Sequence, residues 1–312
     1  MSKKQKGAKP SAPSALTLEQ IKRLVIIAIF SDDGLMERFV LKGGNALDIV
    51  HEVSARASFD VDLSMEDGFR EDEVEEVQGR ILSALQLTFR AEGYEAFDLH
   101  MKPQPPQGVT PDLAHFWGGY KVEFKLIERA KFDADARDLE ALRRRALKMG
   151  AQGKFSIDVS SFEYVEKKQP KFLDDYRIFV YTPEMLVAEK LRAICQQMPE
   201  YGPVVRRGRP GSARAKDYVD IHTLIERLHL DMTLPANLDL LMRVFEAKRV
   251  PLDLLVKIPS YRRLHEPDFQ QVRATVKPDF DLKSFDDYAE FVEGLARDVA
   301  QRTGAGQSPL GT

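Results

Sequence analysis

The chain has 312 residues, 43% of them hydrophobic and 30% charged, a balance typical of a globular protein with one large domain or two ordinary ones. Its formal net charge of −3 provides no overall attraction to nucleic acid, so such binding would require a local basic patch. The single cysteine, Cys195, excludes an internal disulfide framework and a cysteine-rich metal site, which favours a reducing cytoplasm. No apolar run approaches the ~18 residues of a membrane span, so no membrane partner is predicted.

The first elements along the chain lead up to a pair of glycines. Residues 1–15 are basic and rich in small side chains, which predicts a disordered tail. A helix is predicted over 14–30, because Thr17 can cap it with Gln20 three residues later. A short apolar run then ends at the glycines of positions 43 and 44. The pattern beyond them predicts a helix over 45–53 and a strand over 59–63.

The rest of the chain divides into a strand-rich part and a helical part. Helical spacing predicts helices over 72–92 and 133–150. Alternation predicts strands over 97–102, 116–127, 155–159, 162–166 and 176–181. From Thr182, with Pro183 at the first helical position, the chain is predicted to be mostly helical to about residue 301. The whole predicts an α+β, bilobed fold, with a strand-rich lobe over 16–181, a helical lobe over 182–301, a ligand cleft between them, and a tail over 302–312.

Two carboxylates on one predicted strand suggest a metal site. Asp60 and Asp62 alternate along 59–63, so both side chains would lie on one face, roughly 7 Å apart. Such a pair can bind Mg²⁺ or Mn²⁺, which prefer oxygen ligands; the alternative is an ordinary acidic strand edge. Upstream, Gly43 and Gly44 would leave backbone N–H groups free at a helix N-terminus, with Asn45 at the cap, as a cradle for phosphate oxygens. The alternative there is a tight turn.

Four short stretches together resemble the motifs of the AbiEii-type nucleotidyltransferases. They are Gly-Gly-Asn at 43–45, Arg-Ala-Ser-Phe-Asp-Val-Asp at 56–62, Glu-Lys-Leu-Arg-Ala at 189–193 and Lys-Asp-Tyr-Val-Asp-Ile-His at 216–222. That family comprises toxins of bacterial toxin–antitoxin and abortive-infection systems, related to polymerase-β-like nucleotidyltransferases. The resemblance implies a polymerase-β-like mixed sheet with flanking helices and a C-terminal helical bundle. It also implies that Asp60 and Asp62 bind metal and that Lys190 and Asp217 complete the site.

Other residues near these motifs are candidates for the same site. The predicted nucleotide contacts beside the glycine pair are Lys42, Ser58, Lys190 and Lys216. For Ser58 a structural role is equally consistent with the sequence, and without the resemblance Lys190 would be interpreted as a surface lysine paired with a nearby glutamate. Asp217 and Asp220 lie three residues apart on one helix, so they share a face. They could orient Lys190, bind the water shell of a cation, or accept a proton from an attacking hydroxyl.

Two further features concern the acceptor of the reaction. A third carboxylate on a neighbouring strand would activate the acceptor hydroxyl; Asp158 is the first candidate and Glu123 the second, and the resemblance does not choose between them. A basic loop is predicted to bind RNA phosphates through Arg206, Arg207, Arg209 and Arg214, with a solvated flexible loop as the alternative. Phe116 and Trp117 are predicted to be core residues rather than platforms for base stacking.

The sequence therefore predicts a Mg²⁺- or Mn²⁺-dependent nucleotidyltransferase toxin in the cytoplasm. It would transfer a nucleoside monophosphate from an NTP to an acceptor hydroxyl, foremost the 3′ end of a tRNA, and inhibit growth as part of phage defence. The predicted partner is an antitoxin, a small DNA-binding regulator encoded nearby. A protein hydroxyl is another possible acceptor. The competing hypotheses are a non-catalytic module that binds NTP or RNA, and a metal-dependent nuclease.

Overall fold

One mixed sheet carries the strands of this protein. The computed structural model describes residues 15–56, 60–149 and 153–305. The strands within these ranges are β1 Val40–Lys42, β2 Val61–Ser64, β3 Tyr94–Gln104, β4 Gly119–Glu128, β5 Phe155–Ser160, β6 Gln169–Leu173 and β7 Tyr176–Val180. They lie in the order β3-β4-β5-β2-β1-β7-β6. Strand β2 is parallel to β5, and β1 is parallel to β7, while the other neighbours are antiparallel.

Helices flank this sheet and make up the chain beyond it. Their bounds are α1 Leu18–Phe30, α2 Asp33–Arg38, α3 Gly43–Asn45, α4 Val74–Ala91, α5 Arg129–Ala134, α6 Leu139–Arg145, α7 Pro183–Cys195, α8 Ala215–Leu228, α9 Pro235–Ala247, α10 Arg262–His265, α11 Phe269–Thr275 and α12 Phe285–Thr303. Helix α7 packs on α8 and α9, and α12 packs on α8. The α+β class, a mixed sheet with flanking helices, is therefore confirmed.

Two helix starts show how local sequence chemistry sets the element bounds. Thr17 accepts a hydrogen bond from the backbone N–H of Gln20, and the Gln20 side chain accepts one from the Thr17 N–H, so the predicted cap of α1 is present. Thr182 caps α7 in the same way, with Pro183 at the first helical position. Helix α7 begins where the sequence predicts, and α1 begins directly after its predicted cap at Thr17 rather than at residue 14, because these caps satisfy N–H groups that have no partner inside the helix.

Three predicted elements differ from the structure. The helix predicted over 45–53 begins at Gly43 and continues as a π turn over Ala46–Val50. The helix predicted over 133–150 is two short helices, α5 and α6. The strand predicted over 162–166 is wrong, because Phe162 has a positive φ of 57° and Glu163 is drawn into a buried cluster of ions, so the alternating pattern there reflects burial rather than a ladder.

A single large hydrophobic cluster extends from Leu16 to Ala300 and joins the sheet to the C-terminal helices. The division into lobes at residue 182 stays a prediction. The tail predicted at the N-terminus lies outside the described residues up to position 14, and at the C-terminus α12 runs to Thr303 before the description ends at 305. None of the described helices is both long enough and apolar enough to cross a membrane.

Candidate active site

A row of charged side chains crosses four neighbouring strands. The register pairs Lys42 of β1 with Asp62 of β2, Asp62 with Asp158 of β5, and Asp158 with Lys121 of β4. Directly paired residues lie on the same face of a sheet, so the two aspartates are flanked by a lysine on each side. The outer pair is an ion pair, with Lys121 Nζ 3.6 Å from Asp158 Oδ1. The sheet thus brings two of the predicted carboxylates side by side from positions 96 residues apart.

Asp60 lies at the edge of β2 rather than inside it. It comes one residue before the strand begins, yet its charge acts on Asp158, the residue that pairs in register with Asp62. Ser156 Oγ donates a hydrogen bond of 2.5 Å to Asp60 Oδ1, and the Asn45 side chain donates one of 2.5 Å to the Asp60 carbonyl. Asp60 lines an open groove of about 510 Å³, whereas Asp62 lines a separate cavity of about 220 Å³.

The electrostatics of Asp62 and Asp158 suit a cation. Burial raises the pKa of Asp62 to about 6, although Lys42 and Lys216 oppose that rise. Burial also raises the pKa of Asp158, and the nearby Asp60 adds to the effect. Among the described residues, no group of three or more His, Cys, Asp or Glu side chains converges as a ready metal site. The fit of a divalent cation therefore rests on half-buried carboxylate oxygens whose ionised form the neighbouring lysines compensate only in part.

Gly43 makes room for the Asp62 carboxylate. Its φ is +67°, a conformation that residues with a Cβ adopt at a cost. A Cβ on Gly43 would also collide with the carboxylate of Asp62. Gly43 and Gly44 both line the Asp62 cavity. The glycine pair at this turn is therefore explained by the close approach of the aspartate as well as by the start of a helix.

Asn45 and Lys42, two predicted nucleotide contacts, are buried and hydrogen-bonded to protein groups, although the Asn45 Oδ1 atom has no hydrogen-bond partner among the described residues. Asn45 lies beneath the turn, where its amide holds the Asp60 carbonyl. Lys42 Nζ donates to Ser160 Oγ at 3.0 Å and lies 3.6 Å from both Glu163 and Glu189. Lys42 nevertheless lines the Asp62 cavity, and Asn45 does not.

Lys190 lies in a buried network of ions behind Asp62. Its Nζ donates to Asp217 Oδ1 at 3.2 Å and to Asp220 Oδ2 at 2.7 Å. Arg56 donates to the same Asp220 oxygen at 3.0 Å, and Arg214 Nε donates to Asp217 Oδ2 at 2.5 Å. Three cations thus share two carboxylates, which leaves a net positive charge. Of these residues, all but Asp220 line the Asp62 cavity.

The two aspartates of this network keep Lys190 protonated. Burial alone would lower the pKa of Lys190, but Asp220 and Asp217 outweigh it and raise that pKa above its ordinary value. Burial would likewise raise the pKa of Asp217, yet Arg214 and Lys190 hold it well below its ordinary range. The network therefore stays fully charged, and its excess positive charge faces the cavity that contains Asp62.

The remaining predicted residues are distributed around these cavities. Lys216 is exposed at the rim of the Asp62 cavity. Glu123, the second candidate for the general base, lines the Asp60 groove, where Lys154 lies 3.4 Å away. Ser58 lies outside the described residues.

The four arginines predicted to bind RNA do not form one patch. Arg206 is exposed and pairs with Asp112 at 2.7 Å, and Arg209 is also exposed. Arg207 donates to three backbone carbonyls just beyond helix α7, those of residues 196, 197 and 198. Arg214 points into the active-site network instead. Only Arg206 and Arg209 are therefore exposed for RNA on this loop.

A cluster around Glu163 is absent from the sequence prediction. This buried carboxylate accepts hydrogen bonds from Arg192 at 2.7 and 3.2 Å, and Lys248 lies 3.7 Å away. Burial would raise the pKa of Glu163, but Arg192 and the neighbouring lysines hold it well below its ordinary value. Because Lys42 also approaches Glu163, the cluster connects the C-terminal helices to the glycine turn. In the sequence, the only indication of this cluster is that its Arg192 belongs to the motif at 189–193.

The sheet thus places paired carboxylates beside a cationic pocket. The family model described as "Nucleotidyl transferase AbiEii toxin, Type IV TA system" matches residues 25–296. The chain belongs to this AbiEii nucleotidyltransferase toxin family, and its partner class is accordingly an antitoxin.

Solved structures that resemble this fold were also found. JHP933 from Helicobacter pylori is 16% identical with a TM-score of 0.47, and the match covers 92% of this chain and 91% of that one. A Helicobacter pylori protein provisionally described as a nucleotidyltransferase is 15% identical with a TM-score of 0.45, over 92% and 95%. An antigenic nucleotidyltransferase-like protein from Paracoccidioides brasiliensis is 14% identical with a TM-score of 0.34, over 83% and 94%. No curated protein matches the chain.

Proposed function

We propose that this toxin transfers a nucleoside monophosphate from an NTP to a hydroxyl of RNA, foremost the 3′ end of a tRNA. The observation that carries the proposal is the position of Asp62, which lies against Gly43, pairs in register with Asp158 and shares its cavity with the cationic network of Lys190. Such a cavity can bind a polyphosphate through its cations while its carboxylates bind a metal ion.

Asp62 would hold Mg²⁺ or Mn²⁺, with Asp60 and Asp158 as the neighbouring carboxylates. When bound, the cation would neutralise charge that develops on the phosphate oxygens. Lys216 at the rim and Arg214 inside the cavity would bind the terminal phosphates, because both line it and Lys216 is exposed. Lys190 would act as a fixed charge, held in place by two aspartates, and this pre-organisation avoids reorganisation during the reaction.

Asp158 is the proposed general base for the acceptor hydroxyl. Its pKa is raised by burial and by Asp60, which brings its affinity for a proton closer to neutral pH. Asp158 lies on the opposite side of Asp62 from β1 and lines a further cavity of about 380 Å³, through which an acceptor would approach. Glu123 is less suitable, because it lies in the Asp60 groove beside Lys154.

Growth inhibition would follow from modified tRNA, and phage defence is the proposed setting. Since NTPs and tRNA are cytoplasmic, the reaction is proposed to occur there. We further propose that the antitoxin is a small DNA-binding regulator encoded by a neighbouring gene.

The test is transfer of labelled nucleotide to total tRNA by the wild type and by the Asp60→Ala, Asp62→Ala double variant. The proposal expects RNA that is extended by the wild type only, with both proteins folded by circular dichroism. Asp298→Ala is a matched control, because that aspartate is exposed near the end of helix α12 and lines neither cavity. Full transfer by the double variant would refute the roles of these carboxylates, and RNA shortening instead of extension would indicate a nuclease.

A further inference from the structure

A second cavity opens directly beside the proposed phosphate site. Its volume is about 380 Å³. The residues that line both this cavity and the Asp62 cavity are Lys42, Ser160, Glu189 and Arg214. Asp158, the proposed general base, also faces it. The two cavities therefore adjoin along these shared residues.

The walls of the second cavity differ in chemistry from those of the first. The Asp62 cavity is lined by charged side chains, glycines and one serine. The second cavity adds aromatic and apolar groups, which are Pro105, Trp117, Tyr120, Val159 and Ala193. An aromatic surface next to a cationic phosphate site is the combination that proteins use to bind unpaired nucleotides, because every base has a face that can stack.

Trp117 packs against the edge of the core and also forms a wall of this cavity. The Trp117 ring centroid lies 6.1 Å from the Tyr201 ring centroid, and Lys248 Nζ lies 5.6 Å from the Trp117 ring centroid. Lys248 also donates to the carbonyls of Phe116 and Ser161, at 3.3 and 2.5 Å. These bonds fix the segment that carries the indole. Phe116 is buried as predicted, whereas Trp117 is only half-buried and faces the cavity.

Two amide side chains in the wall provide polar contacts for a base edge. Gln104 makes no side-chain hydrogen bond with any described residue, and it lines the cavity half-buried. Gln196 makes a long hydrogen bond of 3.4 Å to the Tyr201 hydroxyl. An amide offers both a donor and an acceptor, which is the pattern that the edges of nucleobases require.

We propose that this cavity binds a nucleobase, with Trp117 as the stacking surface and Gln104 and Gln196 as contacts to the base edge. The inference rests on the proposed function, since it assigns a nucleoside subsite to the same reaction. Two sources share this chemistry: the base of the incoming NTP and the terminal base of the acceptor RNA. This role is proposed in addition to the packing of Trp117 against the core, where the sequence predicts it.

Trp117 itself reports on the cavity, because it is the only tryptophan of the chain. Indole fluorescence is recorded with Mg²⁺ while the protein is titrated with each NTP alone, with a short single-stranded RNA alone, or with inorganic tripolyphosphate. A change with NTP only assigns the cavity to the incoming base, and a change with RNA only assigns it to the acceptor. A change with both shows that either base can enter. No change with either, or an equal change with tripolyphosphate, would overturn the proposal.

Variants separate stacking from folding. Trp117→Ala is expected to raise the KM of the nucleoside substrate that enters the cavity by about 5-fold to 150-fold, the range that stacking on one aromatic ring contributes. Trp117→Phe keeps a ring and should recover most of that loss. Gln104→Ala is expected to reduce the discrimination among the four NTPs or among RNA 3′ ends. Phe172→Ala is the matched control, because that aromatic side chain is 74% exposed on the edge strand β6.

The outcomes distinguish this subsite from the proposed function. Unchanged KM values for both substrates in a folded Trp117→Ala protein would overturn the subsite while transfer to RNA continues. Loss of the subsite should leave the affinity for tripolyphosphate unchanged, since that probe occupies the cavity of Asp62. An absence of transfer to any RNA by the wild type, together with quenching by NTP, would refute the proposed acceptor and retain the base pocket.

Discussion

Gly43→Ala tests the close contact between the glycine turn and the catalytic carboxylate. A φ of +67° costs an alanine about 1–2 kcal/mol relative to glycine. The added methyl would also overlap the carboxylate of Asp62, so the aspartate or the turn must move. A displacement of about 1 Å in a catalytic group can reduce the rate about 100-fold. We therefore expect a modest loss of stability and a much larger loss of nucleotide transfer.

The assay combines denaturant unfolding with initial rates of transfer to RNA. Gly294→Ala is the matched control, because Gly294 lies inside α12 with no atom within 4 Å of an added Cβ. That variant should gain about 0.5–1 kcal/mol from improved helix propensity and keep its activity. Near-normal transfer by Gly43→Ala would refute the argument that the turn and Asp62 are coupled. A rate loss no larger than the loss of folded protein would refute it as well.

Three further predictions follow from the ionised groups. Burial raises the pKa of Asp62 to about 6, above the ~3.9 of an unfolded carboxyl. The contribution of Asp62 to the free energy of unfolding is therefore full below pH ~3.9 and is lost as pH rises through 6. The Asp62→Asn variant should be more stable than the wild type above pH 6, by on the order of 1–3 kcal/mol, yet inactive. Lys190→Met removes the hydrogen bonds that Lys190 donates to Asp217 and Asp220, each of which keeps one arginine, and should lower the free energy of unfolding by about 1.5–3 kcal/mol. Arg207→Ala should destabilise the protein through its lost carbonyl contacts, whereas Arg206→Ala should weaken RNA binding and its dependence on salt.

Each of these has a direct measurement. Urea unfolding between pH 4 and 8 compares Asp62→Asn with the wild type. A lower free energy of unfolding for Asp62→Asn at pH 8 would contradict the predicted stabilisation. The lysine variant is measured by the same unfolding curves, and an unchanged midpoint would contradict the buried network. For the arginines, filter binding at several salt concentrations is compared with thermal unfolding; equal effects of the two substitutions on RNA affinity would contradict the separation of roles.

Local sequence determined the helix starts and the identity of the chemical groups. Thr17 and Thr182 cap their helices as predicted because a cap needs only neighbours three residues away. The acids at 60 and 62, the glycine pair and the lysine at 190 were all visible as motifs. Their chemistry, carboxylates and cations suited to a polyphosphate, follows from residue type and is independent of the fold.

Tertiary structure decided which of these groups meet. The register of β2 with β5 places Asp158 beside Asp62, and no spacing within either strand contains that information. The short span of β2 moves Asp60 off the strand and into a separate groove. Lys190, a predicted site residue, is buried and enclosed by two aspartates because α7 packs on α8.

The same reason explains what the sequence could not reveal. Glu163 reads as one residue of an alternating strand, yet burial is possible for it only because Arg192 and Lys248 arrive from distant helices to compensate its charge. Trp117 reads as an ordinary apolar residue, and its exposure to a cavity depends on elements that approach from both halves of the chain. Residue type determines what chemistry is available, whereas long-range packing determines the partners, and therefore the charge and exposure, of each group.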